Sequence, residues 1–363
     1  MTSSPSSDVP TSPAERASRL RAEGFPITPD RAWPAEAWAA LARAGVTAWT
    51  IPRAFGGDEV SAAELIRGCF ELTRIELVPV FVLSQFQAAC QRIAASVHEA
   101  PKEAWLSALA RGETFATVGI SHLTTSRQHA GQPAVAARPD GQGGYLVAGE
   151  IPWVTGAGHA DVLVGGATLE DGRQMLFALP MTRNGVEVAP PLPLVALEGS
   201  ETGPVRLVDV EVREEELLTA IVPKVLQQGT TGGAGSLTTS ALAAGHAQGC
   251  VDRIAREVEG RPVLGEIVEA FQGDVDSVLG RLIDAAGGAS SPAHSAEVLR
   301  ADATALALKA SQALMTASKG AGFVTGHPAE RLAREALFFL VWSCPQAVSS
   351  KLLREFSQCD AVM

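Results

Sequence analysis

The sequence predicts an α+β fold of three domains, in which a β-rich segment lies between two helical regions. From about 12 to 112, apolar residues recur at three- and four-residue steps, which is the helical period. From about 114 to 212, short alternating segments are separated by Gly, Pro and Asp, a pattern typical of antiparallel strands. Helical periodicity then returns and continues to the end of the chain, so the order is helix, sheet, helix.

The N-terminal helical domain is expected over 13–113. It follows a tail, 1–12, whose Ser- and Pro-rich composition predicts disorder. Pro34 sits early enough to open the helix that carries Trp38 and Leu41. A break with the letters IPRAFGG interrupts the helices, which are then expected at 62–74, 79–95 and 101–109.

The middle domain, 114–213, is expected to be an antiparallel β domain, and the C-terminal domain, 214–363, a helical bundle. The clearest strand patterns occupy 145–148, 162–164, 175–179 and 205–208. The long helical patterns occupy 240–259, 263–286, 294–318 and 330–339.

Composition excludes several classes of function. A net charge of −11 and a pI near 5.2 argue against nucleic-acid binding, which needs clustered Lys and Arg. Five widely spaced cysteines without a C-x-x-C pair indicate reduced thiols, and hence a cytoplasmic protein, rather than disulfides or zinc. No apolar run reaches the ~18 residues of a membrane-spanning helix. Neither metal-binding histidine spacing nor a G-x-G-x-x-G loop is present.

The most informative segment is 149–157, GEIPWVTGA, in which a Trp-apolar-Thr-Gly turn follows a strand pattern. Taken alone, it fits an ordinary strand end with a packed aromatic residue. Four other segments accompany it in the chain: IPRAFGG at 51–57, Gly-Ser at 199–200 with the strand after it, Arg261 to Gln272, and Gly320 to Leu332.

In this order the five segments resemble the acyl-CoA dehydrogenase family over essentially the whole chain after the tail. The resemblance implies FAD as cofactor, with Trp153 packed against the flavin ring and the Thr155 hydroxyl hydrogen-bonded to flavin N5. Ser121 corresponds to the residue that opens the family's flavin-binding loop, and Ser126 is a candidate contact of the pyrophosphate. That loop has lost the family's Glu-Pro and its glycines here, and a polar turn is an equal alternative.

In the family, the adenine half of FAD is held by a neighbouring subunit. The resemblance therefore implies that Arg261 pairs with the pyrophosphate, that Gln272 and Gly320 contact the cofactor, and that the chain forms a homodimer or homotetramer. It also implies a small-molecule substrate, possibly an acyl-CoA, and an electron-transfer partner. Without its neighbouring matches, Arg261 would be interpreted as a solvated cation at a helix end.

The family's catalytic base is missing from its usual place. Dehydrogenation of an acyl thioester requires a carboxylate to remove the α-proton, and counting from 328–332 places Ser343 at that position. Cys344 is the neighbouring candidate, although no basic residue close in sequence supports a thiolate. Glu335 and Glu355 flank the segment, and we expect both on solvated helix faces.

Three functions remain open at this stage. The first is an acyl-CoA dehydrogenase with an unidentified base, and the second is a flavin-dependent oxidase or monooxygenase on the same fold. The third is a non-catalytic paralogue that binds flavin or assembles with an active partner. The segment around Trp153 and the match from Arg261 to Gln272 favour a chain that holds FAD. His122 could lie near the flavin, but a routine hydrogen bond in a loop is the simpler expectation for it.

Overall fold

A computed structural model describes residues 12–28, 30–124, 133–228, 237–342 and 346–357. Most of the predicted tail, Ser126, Ser343 and Cys344 therefore lie outside the described residues. Within the described part, no helix is both long and apolar enough to span a membrane.

The N-terminal region consists of five helices. Ser12 and Ser61 open the first and third of these with capping boxes, in which the hydroxyl accepts from the backbone of Glu15 or Glu64 and that glutamate accepts in return. The fourth helix is apolar on nearly every face and is buried among the others. The helices are α1 (Pro13–Glu23), α2 (Ala35–Arg43), α3 (Ala62–Ile75), α4 (Leu77–Ala94) and α5 (Glu99–Ala110).

The break at 51–57 is a tight turn that brings the chain back onto itself. Glu59 donates its backbone N–H to the carbonyl of Ile51 at 3.0 Å, and Val60 donates to Trp49 at 2.9 Å. A Cβ atom on Gly57 would overlap the carbonyl oxygen of Ile51, whereas nothing lies within 4 Å of a Cβ on Gly56. The second glycine is therefore required by close backbone approach.

This turn gives a matched pair of substitutions. Gly57→Ala is expected to lower the free energy of unfolding by at least about 2 kcal/mol, because the new methyl group meets backbone atoms that cannot rotate away. Gly56→Ala should cost only about 1 kcal/mol, the strain of a non-glycine residue at a left-handed position. Denaturant unfolding measures both. Equal losses for the two variants would contradict this account of the turn.

Seven strands form one sheet in the order β1-β4-β2-β3-β7-β6, with β5 pairing to β4 as well. Four strand pairs are antiparallel, as predicted, but β4 pairs in parallel with both β1 and β2, so the sheet is mixed. The sequence pattern specifies strands and not their partners, which explains why these pairs were not anticipated. The strands are β1 (Ala116–Gly119), β2 (Val135–Pro139), β3 (Tyr145–Val154), β4 (Val162–Leu169), β5 (Gln174–Pro180), β6 (Val186–Val188) and β7 (Gly203–Val212).

The C-terminal region is a helical bundle built around α6. This helix is rich in Ala and Gly and is buried along most of its length, in contact with α3, α7 and α8. At Gly245 a Cβ would overlap the carbonyl oxygen of Phe70, so the glycine allows α3 and α6 to pack closely. The helices are α6 (Leu237–Ala255), α7 (Leu264–Ala286), α8 (Ala296–Ser318), α9 (Pro328–Phe338) and α10 (Gln346–Ser357).

One apolar core joins the two helical regions to one face of the sheet, and a second core fills the space enclosed by the strands. The helices of the two ends of the chain therefore pack as one body, with the sheet beside them. This is the α+β architecture that the sequence predicted.

Candidate functional site

Trp153 lies at a β-bulge near the end of β3. Ile151 pairs with Val205 and Val154 pairs with Gly203, so two residues of β3 face the single Pro204 of β7. A bulge of this kind changes the direction of a side chain. The indole of Trp153 is 51% exposed, while the side chains of Ile151 and Val154 are buried. The end of β3 thus presents a large, flat apolar surface to an incoming ligand.

Thr155 follows this strand and is fixed by hydrogen bonds on both sides. Thr117 Oγ1 donates to the Thr155 carbonyl at 2.7 Å, which ties the turn to β1. The Thr155 hydroxyl lies 2.9 Å from that of Thr202, and Thr202 lies 2.8 Å from the hydroxyl of Ser200. All four of these hydroxyl-bearing residues are buried. If the donors run from Ser200 towards Thr155, the Thr155 O–H remains free to donate to a ligand.

Gly156 completes the turn because a side chain would not fit there. Its φ of +64° is left-handed, and a Cβ would lie 2.6 Å from the Cη2 atom of Trp33. Trp33 in turn stacks on the imidazole of His159, with ring centroids 4.0 Å apart, and His159 contacts Glu201 at 2.8 Å. The turn is therefore supported by a rigid aromatic layer, which holds Thr155 in one position.

Ser121 and His122 lie in the short 3-10 helix Ser121–Leu123, directly after β1. Ser121 is exposed and its carbonyl accepts from the Thr124 hydroxyl at 3.1 Å. His122 is buried, and its Nε2 lies 3.0 Å from the Gly166 carbonyl, which accepts a hydrogen bond from it. Burial lowers the pKa of His122, so the ring is neutral. The routine hydrogen bond expected for this histidine is present.

Arg261 and Gly320 come together at the C-terminal end of α8. Arg261 Nη1 donates to the Ala317 carbonyl at 2.6 Å, and Nη2 pairs with Glu257 at 3.0 Å. Gly320 is exposed, and nothing lies within 4 Å of a Cβ built on it. Gln272 lies on α7, the helix that follows Arg261. Its side-chain amide exchanges hydrogen bonds of 2.9 and 3.1 Å with that of Gln248.

No hydrogen bond or ion pair of the described residues links Arg261, Gln272 or Gly320 to the turn at Trp153 and Thr155. The candidate site thus consists of two groups that this chain does not itself join. Large apolar side chains are exposed close in sequence to Arg261 and Gly320: Val263, Phe323 and Val324.

Ser343 and Cys344 lie outside the described residues, but the chain that leads to them is firmly held. Phe81 of α4 packs edge-on against Trp342 with ring centroids 5.0 Å apart. The fully buried Arg300 donates to the carbonyls of Phe339 at 3.0 Å and Trp342 at 2.7 Å. The end of α9 is therefore fixed by an aromatic cluster and by a cation at its carbonyl end.

Glu335 was expected on a solvated helix face, and that prediction is wrong. The residue is 2% exposed, and its carboxylate accepts from Arg331 at 2.8 Å and lies 3.6 Å from His246 Nε2. Burial alone would raise the pKa of Glu335, but His246 and Arg331 outweigh burial and lower it. The partners belong to other turns and other helices, so local sequence does not indicate them. The side chain of Glu355 lies outside the described residues.

The described residues contain no group of three His, Cys, Asp or Glu side chains that could bind a metal ion. The hydroxyl-bearing partners of Thr155 were not predicted as site residues. Only the Gly-Ser pair that ends at Ser200 gave a signal in the sequence, as part of the fourth matched segment. Thr117, in β1, and Thr202, directly before β7, reach Thr155 through side-chain hydrogen bonds from segments distant in sequence.

The family model of the acyl-CoA dehydrogenase N-terminal domain matches residues 18–113 of this chain. A probable acyl-CoA dehydrogenase of Bacillus subtilis, YngJ, is 26% identical over 179 residues, 48% of this chain and 47% of the relative. The (2S)-methylsuccinyl-CoA dehydrogenase of Cereibacter sphaeroides is 31% identical over 176 residues, 47% of this chain and 32% of the relative. The matched segment thus spans less than half the length of either relative.

Solved structures match over nearly the whole chain. Butyryl-CoA dehydrogenase from Megasphaera elsdenii has a TM-score of 0.82 at 17% identity, covering 98% of this chain and 100% of that one. The prolyl acyl carrier protein oxidase AnaB has a TM-score of 0.76 at 16% identity, with 90% and 91% covered. KijD3 bound to FMN and a dTDP-linked amino sugar has a TM-score of 0.73 at 18% identity, with 95% and 91% covered.

At these identities the structures share the fold and not necessarily the activity. The fold, the matched N-terminal domain and the curated relatives agree with one another and with the five sequence segments. Residues 18–113 therefore belong to the acyl-CoA dehydrogenase N-terminal domain family, and the chain as a whole has the acyl-CoA dehydrogenase fold.

Proposed function

We propose that the protein is an FAD-dependent oxidoreductase that acts on the carbon–carbon bond next to the carbonyl of an acyl thioester. The observation that carries this proposal is the turn at Trp153 and Thr155, where a half-exposed indole lies beside a buried hydroxyl that is held in place. The match to the acyl-CoA dehydrogenase N-terminal domain and the shared fold support a flavin, and the relatives named above include dehydrogenases of acyl-CoA substrates.

The residues of the turn fit a flavin ring. The indole of Trp153 supplies a flat apolar surface of the kind that packs against such a ring. The Thr155 hydroxyl has one proton to donate when Ser200 and Thr202 donate towards it, and flavin N5 is an acceptor that this proton could reach. When bound, the flavin supplies the hydride-accepting chemistry, and the protein supplies orientation and hydrogen bonds.

Arg261, Gln272 and Gly320 are proposed to serve the flavin of a second subunit, in a homodimer or homotetramer. Arg261 uses two of its guanidinium N–H groups within the chain, which leaves others for the oxygen atoms of a phosphate. The open space at Gly320 admits a ligand close to the backbone. The exposed side chains of Val263 and Phe323 would be buried by such an assembly.

The second candidate is a flavin-dependent oxidase or monooxygenase on the same fold. It is favoured by one observation, the serine at 343 in place of the family's carboxylate, because reaction of a reduced flavin with oxygen does not need that base. A third candidate, a non-catalytic flavin-binding paralogue, predicts bound flavin without turnover. In a dehydrogenase, the electrons would pass on to an electron-transfer partner.

One experiment separates these functions. The purified full-length chain is examined for the visible absorption of flavin and then mixed, without oxygen, with a panel of acyl-CoA thioesters. Bleaching of the flavin band by a thioester supports the dehydrogenase. Rapid reoxidation by air after chemical reduction, without bleaching by any thioester, supports the oxidase. A colourless protein that cannot be reconstituted with FAD overturns both.

The role of Thr155 gives a sharper test within the proposal. Thr155→Val removes the hydroxyl while keeping the shape, and it is expected to slow flavin reduction by about tenfold to a hundredfold. Thr155→Ser keeps the hydroxyl and should stay within a few-fold of the native rate. Stopped-flow absorbance measures the rate, and flavin content is measured alongside it. Native rates in the valine variant would remove Thr155 from the flavin site.

A further inference from the structure

A second site is suggested by a cavity of about 140 Å³ among the helices. It lies between the end of α3, the start of α4, the middle of α6 and the start of α9. His246, Gly249 and Arg253 line it from α6, at spacings of three and four residues that place them on one face of the helix. None of the residues proposed to bind flavin lines this cavity.

Three guanidinium groups line the cavity, those of Arg74, Arg253 and Arg331, and Arg74 pairs with Asp252. Arg331 lies between the carboxylates of Glu76 and Glu335 and donates to both. Arg253 also lines the cavity and donates to the carbonyl of Gly249 at 2.8 Å, but no carboxylate of the described residues lies within 4 Å of it. Arg253 is therefore the one guanidinium of the described lining that has no carboxylate within 4 Å.

His246 is buried, lines the cavity and has no hydrogen-bond partner for either ring nitrogen among the described residues. The nearest carboxylate, that of Glu335, is 3.6 Å from its Nε2. Burial lowers the pKa of His246, but the neighbouring Cys250 and Glu335 outweigh burial and raise it. The ring is therefore cationic at neutral pH, and no acceptor of the described residues lies within hydrogen-bond distance of its N–H groups. Unsatisfied buried donors are costly, and a ligand or water in the cavity would relieve that cost.

Part of the cavity wall is apolar. Ile75, Leu77 and Leu332 line it together with the charged groups. Its volume is similar to that of an engineered apolar cavity that holds benzene, which is about 150 Å³. An anion would pair with the positive charges of Arg253 and His246, and a short hydrocarbon part would lie against the apolar wall. A carboxylate can accept hydrogen bonds from the forked N–H donors of arginine.

We propose that this cavity binds a small monocarboxylate of about two to four carbons, a size that its volume admits. The carboxylate is held by Arg253 and His246, and the hydrocarbon part lies against Leu77 and Leu332. Because the cavity joins helices from both ends of the chain, the ligand stabilises the folded state without taking part in flavin chemistry. This site stands whether or not the flavin proposal holds.

The test uses the full-length protein and sodium butyrate as the probe. The melting temperature is measured against butyrate concentration at pH 7, with n-butanol and sodium chloride at matched concentrations as controls. Butyrate alone is expected to raise the melting temperature in a saturable way. Isothermal titration calorimetry then gives the affinity. Arg253→Gln is expected to weaken binding by at least about tenfold, because a charge-assisted hydrogen bond is lost.

A matched control is Arg256→Gln, which removes an exposed arginine just beyond the end of the same helix and should leave the affinity unchanged. Circular dichroism checks that both variants are folded. The proposal is overturned if Arg253→Gln binds butyrate as tightly as the native chain. It is also overturned if chloride stabilises as well as butyrate does, or if a butyrate-soaked crystal holds only water in the cavity.

Discussion

Arg331→Met is expected to destabilise the protein by about 3–5 kcal/mol at pH 8, because it removes the cation bonded to buried Glu76 and leaves buried Glu335 with His246 alone. Arg331 donates to Glu335 at 2.8 Å, to the carbonyl of Thr28 at 2.7 Å and to the carboxylate of Glu76. It thereby connects α9 to the start of α4 and to the loop before α2. Methionine keeps much of the side-chain volume but none of these bonds.

The loss should depend on pH, with a sign that follows from the carboxylates. Burial, opposed by Arg331 and assisted by Glu335, already raises the pKa of Glu76 to about 7 in the native chain. Without Arg331, Glu76 binds a proton still more readily in the folded state than in the unfolded one, whereas Glu335 keeps His246. Stability is then greatest below the unfolded carboxyl pKa and falls as pH rises through the raised folded pKa of Glu76. The deficit of the variant is therefore expected to be smaller at pH 5.5 than at pH 8.

Arg334→Met is the matched control, three residues along the same helix. Arg334 pairs with Asp30 at 2.7 Å and with Glu330 at 2.7 Å, but these groups are more exposed than the partners of Arg331. Its replacement should cost about 1 kcal/mol, the usual scale for exposed ion pairs. Denaturant unfolding at the two pH values measures both variants. A loss below about 1 kcal/mol for Arg331→Met at pH 8 would show that the buried carboxylates find other partners.

The helices and strands were predictable because their hydrophobic periods are local. The need for Gly57 was also signalled, as part of a short motif that the structure explains by backbone contact. Strand partners were not predictable, since alternation sets which face of a strand is buried and not which strand lies beside it. The parallel pairing of β1 with β4 is of this kind.

The same limit applies to the site. Trp153 and Thr155 stand out in the sequence, but their geometry depends on a bulge against β7 and on hydroxyls supplied by Thr117 and Thr202. Glu335 was misplaced for the same reason, because its partner His246 belongs to another helix. Residue types mark where chemistry is to be expected, whereas burial and pairing decide what each side chain does there.

Ser343→Glu is expected to increase the rate of flavin reduction by an acyl-CoA by about 10² to 10⁴, the usual contribution of a general base. The substitution returns a carboxylate to the position where the resemblance places the family's base. Trp342, which precedes it, is fixed by Phe81 and by the guanidinium of Arg300. A carboxylate introduced next to this fixed segment meets the positional requirement for proton abstraction better than one on a free loop.

Ser343→Gln is the control, because the glutamine side chain has the size of glutamate but cannot accept the α-proton. Anaerobic stopped-flow bleaching with one acyl-CoA, at equal flavin content, compares the three proteins. An increase for glutamate and none for glutamine identifies the serine as the reason for slow dehydrogenation in the native chain. A native rate that is already fast, and that falls in the glutamate variant, would mean that another group removes the proton. No reduction in any of the three would favour the oxidase, since the flavin would then not accept electrons from thioesters at all.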